Sequence, residues 1–389
     1  MKTLINQKHL FQLPEDIHYL NGAYMSPLLR SVEEIGIKSL IQKRNPTTIQ
    51  PKDFFETGEK VRTNFGKLVN CPSTQVAIIP AASYGLTTAI NNLPLDNGNT
   101  AIVVSEEFPS GYYAIEKWCL NHRKQLKIIT APEYKQGRGE RWNESILEAI
   151  NEDTAVVVMS TIHWADGTQF DLKAIGQRCK EKNAFLILDG TQSVGALPID
   201  VEECKVDALI CAGYKWLMGP YAIGAAYFSE YFNNGKPLEE TWVNRSNAKQ
   251  FSNLTQYVED YAPGAGRYNV GEYGNFILLP MFNAAMEQLL DWGVDNIQHY
   301  CNDLTLPLVQ FFRENGFWLE EDAFRAKHLF GVGLPEGIES GEVIRRLQEN
   351  KIFVSIRGKS IRLSFHLYNT ESDIQTLMNV LNWILSEKA

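Results

Sequence analysis

Between about residues 75 and 230, short apolar, β-branched runs alternate with stretches whose apolar residues recur at helical spacing. The runs predict strands at 101–104, 127–130, 155–160, 184–188, 207–211 and 223–228. They are almost continuously apolar, as strands covered on both faces must be. Such alternation describes a parallel sheet with crossover helices. One crossover is well marked: Asp171 stands as a cap before Leu172, Ile175 and Cys179, which share a helical face.

Beyond about residue 272 the pattern lengthens into helical stretches, followed by two short strands at 352–356 and 361–364. A last helix is signalled by Thr370 with Asp373 behind it, then by Ile374, Leu377, Leu381, Ile384 and Leu385 at helical spacing. The expected architecture is α/β. It has an N-terminal arm over 1–30, a large domain with a mostly parallel sheet over 31–280, and a small α+β C-terminal domain over 281–389. No internal repeat or low-complexity linker interrupts it.

Composition narrows the partners. The 389 residues exceed what a single core sustains, since cores stop growing near ~250–300 residues. A net charge of −9 leaves no surplus of Lys and Arg for a phosphate backbone, so no nucleic acid is expected. Lys2, Lys8, Glu15 and Asp16 break up the N-terminus as a signal peptide. Apolar runs elsewhere stop short of the ~20 residues a spanning helix needs. A cytoplasmic protein without a membrane partner is the expectation. The six cysteines (Cys71, Cys119, Cys179, Cys204, Cys211, Cys301) are dispersed, without a CxxC pair or nearby histidines, and read as free buried thiols rather than a metal site.

The chemistry concentrates at two strand ends. The run 184–188 leads into Asp189-Gly190-Thr191-Gln192, and the run 207–211 into Ala212-Gly213-Tyr214-Lys215-Trp216. Open α/β sheets bind ligands at the carboxyl ends of their strands. Singly, an Asp before Gly reads as a turn and a Lys after Gly-Tyr as a solvated cation. Together they bring an acid and a lysine to one crevice. That pair suits pyridoxal 5'-phosphate (PLP), which needs a lysine for its Schiff base and a carboxylate to keep its pyridine nitrogen protonated.

The block LDGTQSVGALPIDVEECKVDALICAGYKWLMGPYAIG, ending at Gly224, resembles the signature of class V PLP enzymes. That family includes cysteine desulfurases, kynureninase and isopenicillin N epimerase-like proteins, and the resemblance extends more loosely from about Tyr19 to the C-terminus. It implies a homodimer of the aspartate aminotransferase fold (type I), with active sites at the subunit interface. It makes Lys215 the Schiff-base lysine, Asp189 the partner of the pyridine nitrogen, Gln192 a donor to the ring hydroxyl, and Tyr214 a contact of the phosphate.

The same resemblance places phosphate at the turn Ala81-Ala82-Ser83-Tyr84-Gly85, an aromatic ring at Phe108 over the cofactor, and His163 near the ring hydroxyl. Arg362 would grip the substrate carboxylate, and the segment around Asn21 and Gly22 would close over the site. Read alone, Ser83 is equally a helix cap, Phe108 a core residue, His163 a structural histidine and Arg362 a salt-bridged strand residue. Glu272 stands where the family sends a small hydroxyl residue to the neighbouring subunit's phosphate, and a carboxylate there would repel it.

The reaction expected is loss of the Cα proton to Lys215, with a transaminase-like or epimerase-like outcome. A kynureninase-like or cysteine lyase-like cleavage is the alternative. Desulfurases carry a cysteine on a loop between the two C-terminal strands. Here Ser355-Ile356-Arg357-Gly358-Lys359-Ser360 reads as a tight turn without one, so the persulfide route is expected to be absent. Gly264-Ala265-Gly266-Arg267 stands late and lacks the third glycine of a nicotinamide site. A non-catalytic PLP-fold regulator would need a further domain, for which there is no spare length.

Overall fold

Seven strands make the central sheet of the computed structural model, which describes residues 4–357 and 360–387. They are β1 (Val76–Ile79), β2 (Thr100–Val104), β3 (Gln125–Ile129), β4 (Thr154–Ser160), β5 (Phe185–Asp189), β6 (Ala208–Ala212) and β7 (Gly224–Phe228). Their order is β1-β7-β6-β5-β4-β2-β3. Only β7 runs against the others, pairing antiparallel with both β6 and β1. The structure adds β1, whose four-residue run the sequence reading passed over.

Alternate residues of each strand feed two cores. Ile102, Val104, Val157 and Met159 join one, whereas Ala101, Val103, Val156 and Val158 join the other. Each such side chain contributes about 1.5–3 kcal/mol on burial, so a strand apolar on both faces is held between two helical layers. The strand expected at 127–130 departs from this. As β3 it pairs with β2 alone, at the sheet edge, and most of its residues are exposed or half-buried.

Asp171 caps the helix Leu172–Glu181, its carboxylate accepting the Ala174 amide at 3.0 Å. Thr370 and Asp373 form a reciprocal cap on the helix Glu371–Ser386. A second, four-stranded antiparallel sheet contains Ser355–Arg357, Ser360–Ser364, Leu329–Gly333 and Trp318–Leu319. Of the turn expected between the first two, Gly358 and Lys359 lie outside the described residues, while Arg357 and Ser360 pair across it. The helix Leu278–Trp292, which straddles the expected boundary at 280, packs on the helices Arg30–Gln42 and Glu56–Val69.

The N-terminal arm ties the two sheets together. His18–Tyr19 pairs in parallel with Ile352–Phe353, and the Leu20 carbonyl accepts the Ser364 amide at 3.0 Å. Further on, Ser26 donates its amide to the Tyr214 carbonyl at 3.2 Å and its hydroxyl to the Lys215 carbonyl at 2.5 Å. Among the described residues, no helix is long and apolar enough to cross a membrane.

Candidate active site

A cavity of about 380 Å³ opens at the carboxyl edge of the sheet. Its walls come from the segments after β1 (Ser83), β2 (Phe108), β4 (Trp164), β5 (Asp189, Gln192) and β6 (Tyr214, Lys215), with Ser160 at the end of β4. Lys215 is buried. Burial, against the pull of Asp189, lowers its amine to about 8, and the nearby Arg362 and Arg357 act in the same direction as burial. Gly213 makes the approach possible, since a Cβ there would lie 2.5 Å from the Ile223 carbonyl oxygen. Three non-glycine residues beside the site, Glu106, Met218 and Ala222, hold left-handed φ angles of 54°, 54° and 63°. Such strain persists where the surrounding packing enforces it.

Asp189 ends β5 directly across from Ser160 on β4. Its carboxylate accepts the Thr191 amide at 2.9 Å, yet burial still raises its pKa. A second buried acid, Glu107, lies nearby and was not singled out from the sequence. It accepts the amides of Phe108 and Ser160, each at 2.7 Å, and the Ser160 hydroxyl. Burial raises its pKa too, and the charge of Asp189 adds to the effect. Glu107 thereby fastens the segment after β2 to the end of β4.

Phe108 and Trp164 meet edge to face at 5.5 Å. The Trp164 indole donates to the Glu106 carbonyl at 2.7 Å, and its own carbonyl accepts Nη1 of Arg362 at 2.8 Å. Arg362 is 2% exposed, and its Nε has no hydrogen-bond partner. Burial, reinforced by Arg357, lowers it to about 9. Among the described residues no carboxylate pairs with it, so the salt-bridged reading does not hold. A buried guanidinium without a counter-charge is costly and suits an incoming anion.

Several expected residues sit elsewhere. His163 is fully buried behind the site, 2.9 Å from Asp166 and edge-on to Trp142, and does not line the cavity; its neighbour Trp164 does. Burial opposes its charge, but Asp166 more than compensates and raises the histidine. Tyr84 donates to Glu239 at 3.0 Å and is not a wall residue. Gln192 reaches the cavity, but its amide is engaged by the Ala23 carbonyl at 3.2 Å and the Trp216 indole at 2.9 Å. Ser83 is not the cap of its helix, Ala82–Asn91; that place belongs to Ala81. Gly22 is hemmed in, a Cβ there falling 2.6 Å from the Tyr368 hydroxyl. Asn21 lines a separate cavity of about 350 Å³ with Tyr24, Ser355 and Arg357. Glu272 is exposed, with φ 59°.

A larger cavity of about 720 Å³, at Lys67, Asp171 and Leu289, contains none of these groups. All six cysteines are free, and five are buried. Burial drives Cys71 and Cys179 up to about 12, which suppresses the thiolate.

A desolvated lysine beside a buried aspartate stands at the carboxyl edge of a mostly parallel sheet, in the architecture of fold type I PLP enzymes. The donor set fits that cofactor: an amine partly neutral near pH 8, an acid facing it, an aromatic wall, and a cavity within the roughly 300–1,000 Å³ of small-molecule sites. The chain belongs to the class V aminotransferase family (Aminotransferase class-V), whose profile matches residues 46–377, and PLP is the cofactor of that family.

Among its relatives, an uncharacterized aminotransferase of Bacillus subtilis, YcbU, is 25% identical over 355 residues, covering 91% of this chain and 90% of that protein. Kynureninase of Shouchella clausii is 23% identical over 413 residues, covering 97% and 90%. An apo cysteine desulfurase from Thermococcus onnurineus overlays with a TM-score of 0.83 at 16% identity, across 100% of both chains. A cystine C–S lyase, solved with its product cysteine persulfide, overlays with a TM-score of 0.80 at 16% identity, over 94% of this chain and 97% of that one. These structural likenesses establish the fold.

Proposed function

We propose that this chain acts at Cα of an amino acid, with PLP held on Lys215, and that the outcome is transaminase-like or epimerase-like. When bound, PLP supplies an electron sink that acidifies the Cα–H bond. Asp189 would face the pyridine nitrogen and favour its protonated form. The N-terminal turn of the helix Ala82–Asn91, with Ser83 in it, would receive the phosphate through backbone amides and the dipole of the helix. Tyr214 lines the same cavity. Phe108 and Trp164 wall the site against water.

Arg362 would hold the substrate carboxylate and thereby orient Cα toward Lys215. The Lys215 amine, lowered to about 8, has the free-base character needed to take the Cα proton at Nζ. The observation that carries this reading is the desolvated Lys215 within electrostatic reach of Arg362, an uncompensated cation held against the backbone of Trp164, which walls the Lys215 cavity. A kynureninase-like cleavage is the second reading, favoured by the match to that enzyme over 97% of the chain.

We also propose that two chains associate. Tyr24, Met25, Leu28, Ile37, Leu40 and Ile41 leave apolar surface exposed near the arm that borders the site. The functional reading is tested by titrating the purified holo-protein with the common amino acids, following the visible absorbance of the cofactor and identifying products. A protein that responds to none of them would overturn it.

A further inference from the structure

A second arginine stands beside Arg362 without a carboxylate. Ser355 pairs with Arg362 across the antiparallel strands Ser355–Arg357 and Ser360–Ser364. Arg357 lies two residues beyond Ser355, so it projects from the same face as Arg362. Diagonal neighbours of this kind sit about 7–8 Å apart, near enough for two guanidinium groups to face one bound molecule. Like charges placed so close repel each other, and no acid among the described residues relieves either one.

The polar inventory of Arg357 is incomplete. Nη1 donates to the Ile356 carbonyl at 2.7 Å, while Nε is buried without a partner. The guanidinium lies over the Trp164 ring, 5.6 Å from its centre, a cation–π contact that fixes its plane. Trp164, on which Arg357 lies, walls the cavity that holds Lys215, and Arg357 itself walls the separate cavity of about 350 Å³ with Asn21, Tyr24 and Ser355. There the Asn21 side-chain oxygen accepts the Ser355 hydroxyl at 2.7 Å, which leaves its amide N–H₂ as a further donor. Arg357 and Asn21 thus offer donors, with no acid among them, at a position displaced from Arg362.

We infer that Arg357 and Asn21 form a second anion subsite, so that the preferred substrate is an amino acid whose side chain ends in a carboxylate. The inference rests on the reading that Arg362 takes the α-carboxylate. A planar guanidinium with a free Nε–H and Nη–H edge matches a carboxylate through two parallel hydrogen bonds, and a neutral amide of the same shape forfeits the charge.

The test uses pairs of amino acids that differ in that charge alone: L-glutamate against L-glutamine, and L-aspartate against L-asparagine. Binding to holo-protein is followed by cofactor absorbance and, independently, by calorimetry. The wild type is expected to favour the acid over the amide by about tenfold or more in at least one pair, as one charge-assisted hydrogen bond implies. In Arg357→Gln that ratio should fall to near unity, and in Arg357→Lys to an intermediate value. Circular dichroism confirms that both variants are folded.

Equal binding of acid and amide by the wild type, absence of acid binding by both methods, or a ratio preserved in folded Arg357→Gln would each overturn the subsite. A wild-type protein that takes up no PLP would instead overturn the reading beneath it, so the two failures are separable.

Discussion

Lys215 and Phe108 meet with the amine nitrogen 5.6 Å from the centre of the ring, although they follow strands three places apart in the sheet. The ring face accommodates the ammonium form, whereas burial favours the free amine and, against the pull of Asp189, lowers it to about 8. If Lys215 is the point of attachment, Lys215→Ala should yield a folded protein that lacks the internal-aldimine band of the wild type. Visible absorbance checks this, with far-UV circular dichroism as the control, and a yellow variant with the wild-type spectrum would contradict the assignment.

The same lowering sets a pH dependence. Only the free amine attacks a carbonyl, and its fraction rises with pH through the pKa. Uptake of PLP by apo-protein should therefore accelerate as pH rises, with a midpoint near 8 rather than the 10.5 of an ordinary lysine. Arg362 and Arg357 both favour the free amine, so neutralising either should move the midpoint upward. Stopped-flow absorbance across this range measures it; a midpoint near that of a solvated lysine would count against a desolvated amine.

Arg362→Lys keeps the charge and loses the planar fork. Amino-acid affinity should fall by a factor equivalent to about 1.5–3 kcal/mol while PLP affinity barely changes. Separate titrations with cofactor and with amino acid give both values, and equal losses in the two would argue for a structural role.

Glu107→Ala leaves the amides of Phe108 and Ser160, and the Ser160 hydroxyl, without their acceptor. The expected loss of stability is about 1–3 kcal/mol for each buried donor that finds no water. Urea denaturation should show a lower midpoint with an unchanged slope. A midpoint equal to wild type would mean that Glu107 is dispensable to the joint between the two segments.

L-Cysteine should bind without leaving sulfur on the protein, because five cysteines are buried and Cys71 is held at about 12 by burial. Intact-mass spectrometry after incubation reads this directly. A persulfide formed at a catalytic rate would restore the desulfurase reaction as a candidate.

The sheet was legible where burial on both faces leaves continuous apolar runs, as at Val156 to Met159 on β4. It was not legible at β1, because four residues before Pro80 carry no period; β3 was found as a strand, but its apolar run did not reveal the edge position that exposes Ile128. Asp189 ends β5 and Lys215 follows three residues after the end of β6, so the strand pattern alone brings the two to one edge of the sheet. His163 and Trp164 could not be told apart: beyond a strand end no alternation says which neighbour faces the cavity. Glu107 was hidden for another reason, since its partner Ser160 lies 53 residues away. The relation of Arg357 to Arg362 appears only once the register of the two strands is known.

The pairing of His18–Tyr19 with Ile352–Phe353 has a consequence for synthesis. Chains fold from the N-terminus as they emerge from the ribosome, and the β1–β7 sheet can assemble once residue 228 is out. The arm that precedes it cannot dock until its partner strand has been made, more than three hundred residues later. The nascent protein therefore carries a finished sheet while its arm is still undocked, and the cavity edge is completed only with the last part of the chain.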